Sequence, residues 1–284
     1  MSNLTPSEHQ SIASSHAGDA VKLTRRRVLG ALLGLGAAAS YLHPNGAQAA
    51  APANRGKIPR LASGKPDFSG IWQTLSEADH GLEPHGNRAD APPGPGVVDG
   101  NYIPYLPEAL ERRRKNFEQR DKLDPTAKGW TPGVPRLAYY PAPFQVFQRK
   151  EDITIVPQFG HGVRTIWTNG TRHPDGEAKE YWLGDSRGKW EGDTLVVDVV
   201  DFNDETWLDR AGNFHSEALH VVERWKFLDP DTIEYSATLE DPKVYSRPWR
   251  LSVLLHRRRD RNFQLIEDYR FTVPYDQYYP PKKP

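Results

Sequence analysis

Along a β-strand every second side chain shares a face. From Leu219 that rule gathers Leu219, Val221, Glu223, Trp225 and Phe227; from Phe263 it gathers Phe263, Leu265, Glu267, Tyr269 and Phe271. Each row is apolar except for one glutamate. A carboxylate there costs free energy unless it is paired or protonated, and burial raises its pKa towards the range of a general acid or base. Glu223 and Glu267 are therefore the first catalytic candidates, with Trp225 and Tyr269 beside them as substrate contacts. The competing expectation is that an interior arginine holds each glutamate. On the first reading, glutamine at either position abolishes turnover and leaves the fold intact.

A second set of polar groups surrounds these rows. His161 opens a run in which Val163, Thr165 and Trp167 share one face and Arg164 and Ile166 the other. At a strand mouth His161 can carry protons near neutral pH, with Arg164 and Trp167 touching the substrate; a histidine bonding a backbone carbonyl is the plainer reading. The polar stretch before Leu219 contains Asp204, Trp207, Asp209, His215 and Glu217, and His220 follows. Asp209 and His215 are expected to join the catalysis, and Asp204, Trp207 and His220 to shape the entrance, although aspartates also fix turns through backbone amides. His215, Glu217, His220 and Asp209 have the donor types zinc accepts. Their spacing is not the helical His-Glu-x-x-His, so a hydrogen-bonded rim is expected and no metal. A phosphate-cradling Gly-Lys-Ser/Thr and a Gly-x-Gly-x-x-Gly are missing, which counts against nucleotide and nicotinamide chemistry; no cofactor is expected.

The elements that must position these residues follow from the change of period. Residues 50–66 read as a linker rich in Pro, Gly and Lys. Residues 67–143 read as an irregular extension: Phe68 to Trp72 is its first ordered element, Ser76 to Val98 wraps the surface without periodicity, and Pro107 to Asp121 is one surface helix with Leu110 and Phe117 on its apolar side. From 144 to 271 the period is two. Runs at Phe144–Gln148, Ile153–Val156, His161–Thr168, Tyr181–Trp190, Thr194–Phe202, Leu219–Phe227, Thr232–Leu239, Trp249–His256 and Phe263–Phe271 are separated by turn signals such as Asn169-Gly170 and Asp229-Pro230. The fold expected is all-β, an antiparallel up-and-down barrel of about eight to ten strands, because such a meander must close to hide its edges. A β-sandwich is the alternative. Residues 67–284 form a single domain.

The first 49 residues read as a signal peptide. Arg25-Arg26-Arg27 precede the apolar run Gly30 to Ala39, and Ala47-Gln48-Ala49 offers a cleavage site. Paired arginines before a mild apolar core mark the twin-arginine route, so a periplasmic or secreted location is expected. The run is shorter than the roughly 20 residues that span a bilayer, so no stable membrane span is expected. Cleavage removes Lys22 and Arg25 to Arg27 against Glu8 and Asp19, and leaves the chain near neutrality from its formal net charge of +0. Nucleic acid is thus a poor partner. The chain has no cysteine, which excludes disulfides and thiolate-held cofactors.

Phe68-Ser69-Gly70-Ile71-Trp72 resembles the Gly-x-Trp first strand of lipocalin-like (calycin) barrels. His161 to Trp249 resembles a large family of uncharacterised secreted bacterial proteins, through Trp-Glu-Gly-Asp-Thr-Leu-Val-Val-Asp (190–198), Thr-Trp-Leu-Asp (206–209), His-Ser-Glu-Ala-Leu-His-Val-Val-Glu-Arg (215–224) and Glu-Asp-Pro-Lys-Val-Tyr (240–245). The resemblance implies a secreted barrel and transfers no settled activity; Asp201 stands where many relatives have Gly. The residues together lead to an exported, cofactor-independent lyase, hydratase or isomerase that moves protons on a small hydrophobic or aromatic molecule in the barrel. The alternative is a non-catalytic periplasmic carrier of a hydrophobic ligand. Oligomeric state is open.

Overall fold

Period-two segments pair with their neighbours and leave one row of side chains dry. The computed structural model describes residues 56–160, 162–175 and 181–266. Nine strands close into a barrel in chain order: β1 (Gly70–Thr74), β2 (Phe144–Gln148), β3 (Asp152–Pro157), β4 (Arg164–Trp167), β5 (Asp185–Glu191), β6 (Thr194–Val200), β7 (His220–Asp229), β8 (Thr232–Glu240) and β9 (Trp249–Arg257). The barrel expected from the sequence is therefore present, with β9 paired to β1 through Trp72 and Arg257.

Two strand expectations need correction. β4 and β5 run parallel, through Ile166–Ser186 and Trp167–Arg187; the long connection from Trp167 to Asp185 carries the chain back where a tight Asn169-Gly170 hairpin was expected. No strand begins at Phe263. Residues 263–266 are irregular, and β9 already has β8 and β1 on its two edges. The rest of that expected strand, with Glu267 and Tyr269, lies outside the described residues, as do residues 1–55 and His161.

Register stacks the inward rows. Glu223 pairs with Val197 and Ala237, Trp225 with Leu195 and Tyr235, and Leu239 with Trp249. Trp72, Ile166, Val197, Val199, Val221, Tyr235, Ala237, Leu251 and Leu255 all have 0% accessible surface. A void the size of a water molecule would register as accessible surface on its walls, so the barrel axis along these residues is filled. Aromatic side chains close both ends. Phe68 stacks between Trp190 and Phe227 at one end. At the other, Tyr245 meets Trp249 and Tyr105 edge-on. Gly70 has φ 136°, and a side chain there would meet Arg257 Nη1 at 2.3 Å. That guanidinium lies over Trp72 and donates to the Ser69 carbonyl, so the small residue of the Gly-x-Trp motif makes room for the cation that seals the barrel.

The extension is more deeply built in than a surface wrap. Ala78, Asp79 and Leu82 are buried, and Tyr139 donates to the Leu208 carbonyl at 2.8 Å. Helix α1 (Pro107–Glu118) buries Ala109 and Asn116 in place of Leu110 and Phe117, because Asn116 donates to the Gly212 carbonyl while Phe117 lies under the Arg120 guanidinium. Short helices α2 (Arg120–Leu123) and α3 (Arg136–Tyr139) follow. Part of the expected linker is also docked, with Arg60 paired to Asp193 in the β5–β6 turn. Asp201 has φ 62°, a left-handed position that glycine fills without strain and aspartate tolerates. Among the described residues no helix is long and apolar enough to cross a membrane.

Candidate active site

Among the described residues, three gatherings of polar side chains bear on the candidates read from the sequence, and the third borders an open cleft. The first is inside the barrel. Arg164 donates to Glu223 through Nη1 (3.0 Å to Oε1) and Nη2. Ser186 Oγ accepts from Arg164 Nε and Nη2 at 3.1 and 3.0 Å, and the Tyr235 hydroxyl donates to Glu223 Oε1 at 2.7 Å. Burial, reinforced by Glu223, pushes the Tyr235 phenol well above its ordinary value. The inward face of β7 is the one anticipated, and Glu223 on it has the interior arginine that was the competing expectation. Trp225 packs edge-on against Tyr235 and Phe144; it is core, with no space beside it for a substrate.

The second place is the loop between β6 and β7. Asp209 is fully buried and accepts from the backbone N–H groups of Leu82, Ala211 and Asn213 and from the Asn213 amide. Burial pushes its carboxyl up while these donors oppose the shift. His215 is fully buried too. Its Nδ1 donates to the Ser216 carbonyl at 2.9 Å, which leaves Nε2 to accept from Thr206 Oγ1 at 2.7 Å. Trp207 is buried and pairs through its backbone with Phe214, while Asp204 is exposed. Asp209, His215 and Trp207 thus lock a cap; they do not shape an entrance.

This geometry has a pH consequence. Burial lowers the His215 pKa below its ordinary 6.5. The unfolded chain then binds the proton more readily, so the stability His215 contributes is present above pH 6.5 and is lost as pH falls from there through the folded-state value. We expect urea denaturation to show stability falling from pH 7 to 5, and His215→Asn to flatten that slope. An unchanged slope would contradict the assignment.

The third place is the outer face of β5, β6 and β7. The alternation that turns Ser186, Val197 and Glu223 inwards turns Asp185, Arg187, Asp198, His220 and Val222 outwards. His173, on the segment after β4, meets this face with Nδ1 2.6 Å from Asp185 Oδ1 and Nε2 3.4 Å from Asp198 Oδ2. His220 Nε2 lies 2.5 Å from Asp198 Oδ1. Arg187 clamps Asp185 through Nε and Nη2 and donates from Nη1 to Thr171 Oγ1. A carboxylate can only accept, so the Asp185 contact fixes the His173 proton on Nδ1. Nε2 is buried, makes no hydrogen bond among the described residues and lies against the Asp198 carboxylate in the cleft wall. The cleft measures about 600 Å³, has Gly188, Val196 and Val222 in its lining, and is edged by Arg172, Arg187 and Lys189. That volume suits a small molecule. An imidazole oriented by a carboxylate at one nitrogen can take a proton at the other.

Of the residues singled out in the sequence, His220 alone lines this cleft. Trp167 is a correction: it is 40% exposed on the outer face of β4 beside exposed Val163, because Arg164 and Ile166 take the inward parity. His215, Glu217, His220 and Asp209 do not converge, since Glu217 pairs with Lys243 at the surface. No group of three or more His, Asp or Glu among the described residues is arranged to hold a metal ion. Gly184-Asp185-Ser186-Arg187-Gly188 has the Gly-x-Ser-x-Gly spacing of a serine-hydrolase elbow. The elbow requires a serine exposed between strand and helix; Ser186 is buried within β5 and committed to Arg164. Compared with known protein families and with curated proteins, the chain matches none.

Proposed function

We propose that the chain is an exported enzyme of lyase, hydratase or isomerase type. It moves protons on a small hydrophobic or aromatic molecule, and it does so in the outer cleft. The observation that carries this reading is His173, held at Nδ1 by Asp185 with Nε2 against Asp198, in the wall of a cleft that has an apolar floor. A guest that displaces the Asp198 carboxylate uncovers His173 Nε2, which removes a proton, and His220, on the far side of Asp198, supplies one. The arginines before the apolar run at Gly30 to Ala39 support export, and the 190–198 and 215–224 patterns support kinship with the secreted bacterial family they resemble.

The test is hydrogen exchange in D₂O, followed by proton NMR, across a panel of small aromatic and aliphatic carbonyl compounds. Wild type is expected to exchange activated C–H positions, and His173→Gln to slow this by about 10²–10⁴-fold. No exchange by wild type, or an undiminished rate in the variant, contradicts the reading. The second reading, a carrier of a hydrophobic ligand, draws on the apolar floor at Val196 and Val222 and needs no imidazole. A retained, unaltered apolar compound in native mass spectrometry would favour it.

A further inference from the structure

Resting on that acid/base reading, we propose that the cleft takes a small organic carboxylate with an apolar body, and that Arg172 is its anchor. Most charged groups in the lining already have partners. Arg187 is committed to Asp185 and Thr171. Lys189 lies 3.3 Å from Glu191. Asp198 is engaged by His220 and faces His173. Arg172 lines the cleft, is exposed, and has no ion pair among the described residues. It precedes His173 directly, so the guanidinium and the imidazole reach the cleft from one short segment.

What the lining offers a guest is therefore a guanidinium with no ion pair among the described residues, an imidazole behind the Asp198 carboxylate and an apolar floor. A guanidinium fork matches a carboxylate with two parallel N–H donors. The floor at Gly188, Val196 and Val222 takes the apolar body. A carboxylate held at Arg172 that pushes Asp198 aside places a nearby C–H beside His173 Nε2. When that C–H bears an adjacent carbonyl, the proton passes to Nε2 and the electron pair spreads onto the carbonyl oxygen. Reprotonation of the resulting anion closes the cycle with no oxidant or co-reactant.

The test compares phenylacetate with phenylacetamide, which has the same outline and no charge. Binding is read by calorimetry and by the imidazole proton resonances of His173 and His220. Phenylacetate is expected to bind about tenfold or more tightly than the amide, a difference of about 1.4 kcal/mol, and to shift both imidazole signals. Arg172→Gln should bring phenylacetate down to the level of the amide. Arg247→Gln, at an exposed arginine bonded to Tyr102, should change neither probe. Equal affinity for the two probes, no binding of phenylacetate, or an Arg172→Gln protein that binds as wild type does overturns the anchor. Binding needs no turnover, so the two readings fail separately. Phenylacetate held at Arg172 by a protein that exchanges no hydrogen sinks the enzyme and leaves the anchor standing. Exchange of neutral compounds without preference for carboxylates sinks the anchor alone.

Discussion

Arg136→Met is expected to destabilise the fold by about 3–5 kcal/mol. Arg136 is fully buried on α3 and bridges two carboxylates: Nε donates to Asp79 Oδ1 at 2.7 Å, and Nη1 and Nη2 donate to Asp124 Oδ1 and Oδ2, each at 3.0 Å. Burial works against its charge, but Asp79 and Asp124 outweigh burial and hold its pKa above the ordinary value. Methionine fills similar space and leaves two buried carboxylates short of a cation, of which Asp79 keeps only Arg210 at 2.7 Å. The loss should spread, because this cluster joins the extension at Asp79 and Asp124 to the central loop at Arg210. Asp124 adds a signature in acid. Burial opposes its ionisation, but Arg136 and the Thr126 donors outweigh that and lower its pKa. The stability it contributes is present above its unfolded pKa and is lost as pH falls through the depressed value. Urea denaturation of Arg136→Met should therefore show both a lower midpoint and a shallower acid limb. A loss below about 1 kcal/mol would mean that the bridge adds little beyond an exposed ion pair.

The second large effect concerns Glu223. Glutamine was expected from the sequence to remove activity and spare the fold; the buried Arg164 partner changes the expectation for the fold. Glu223→Gln leaves the Arg164 guanidinium buried without a counter-charge and is expected to cost about 3–5 kcal/mol. Removing the whole network should cost less than breaking it. Arg164→Met, Glu223→Leu and Tyr235→Phe together delete the cation, the anion and the hydroxyl that donates to it. Apolar replacement of a complete buried pair is often neutral or stabilising. The cycle between Arg164→Met and Glu223→Leu should show strong coupling in stability. Additive losses would contradict the pairing.

The barrel was legible because strand parity is a local property. Leu219, Val221, Glu223, Trp225 and Phe227 lie inside as their alternation required. Parity alone does not say which face is inward when both are plausible. In β4 the aromatic Trp167 drew the expectation, yet Arg164 and Ile166 face the core. The ion pair that decides this joins residues 59 positions apart in the chain. The closure of β9 on β1 was equally hidden, so the alternation after Phe263 read as a tenth strand. The cleft was missed because His173 lies in an aperiodic stretch, next to Pro174 and Asp175. A signal was present nonetheless: with Val197, Val199, Val221 and Glu223 inside, Asp198 and His220 had to share the outer face of neighbouring strands. Buried Asp209 and His215 looked chemical in sequence because residue type does not reveal that every polar atom has a partner.

The central claim is that proton transfer belongs to the outer cleft and not to the barrel interior. The most direct measurement compares solvent-hydrogen exchange by the Arg164→Met/Glu223→Leu/Tyr235→Phe protein with that by His173→Gln, both verified as folded. The interior variant should retain the wild-type rate, and His173→Gln should lose about two orders of magnitude or more. A silent interior variant beside an active His173→Gln protein would return the chemistry to Glu223 and contradict the account.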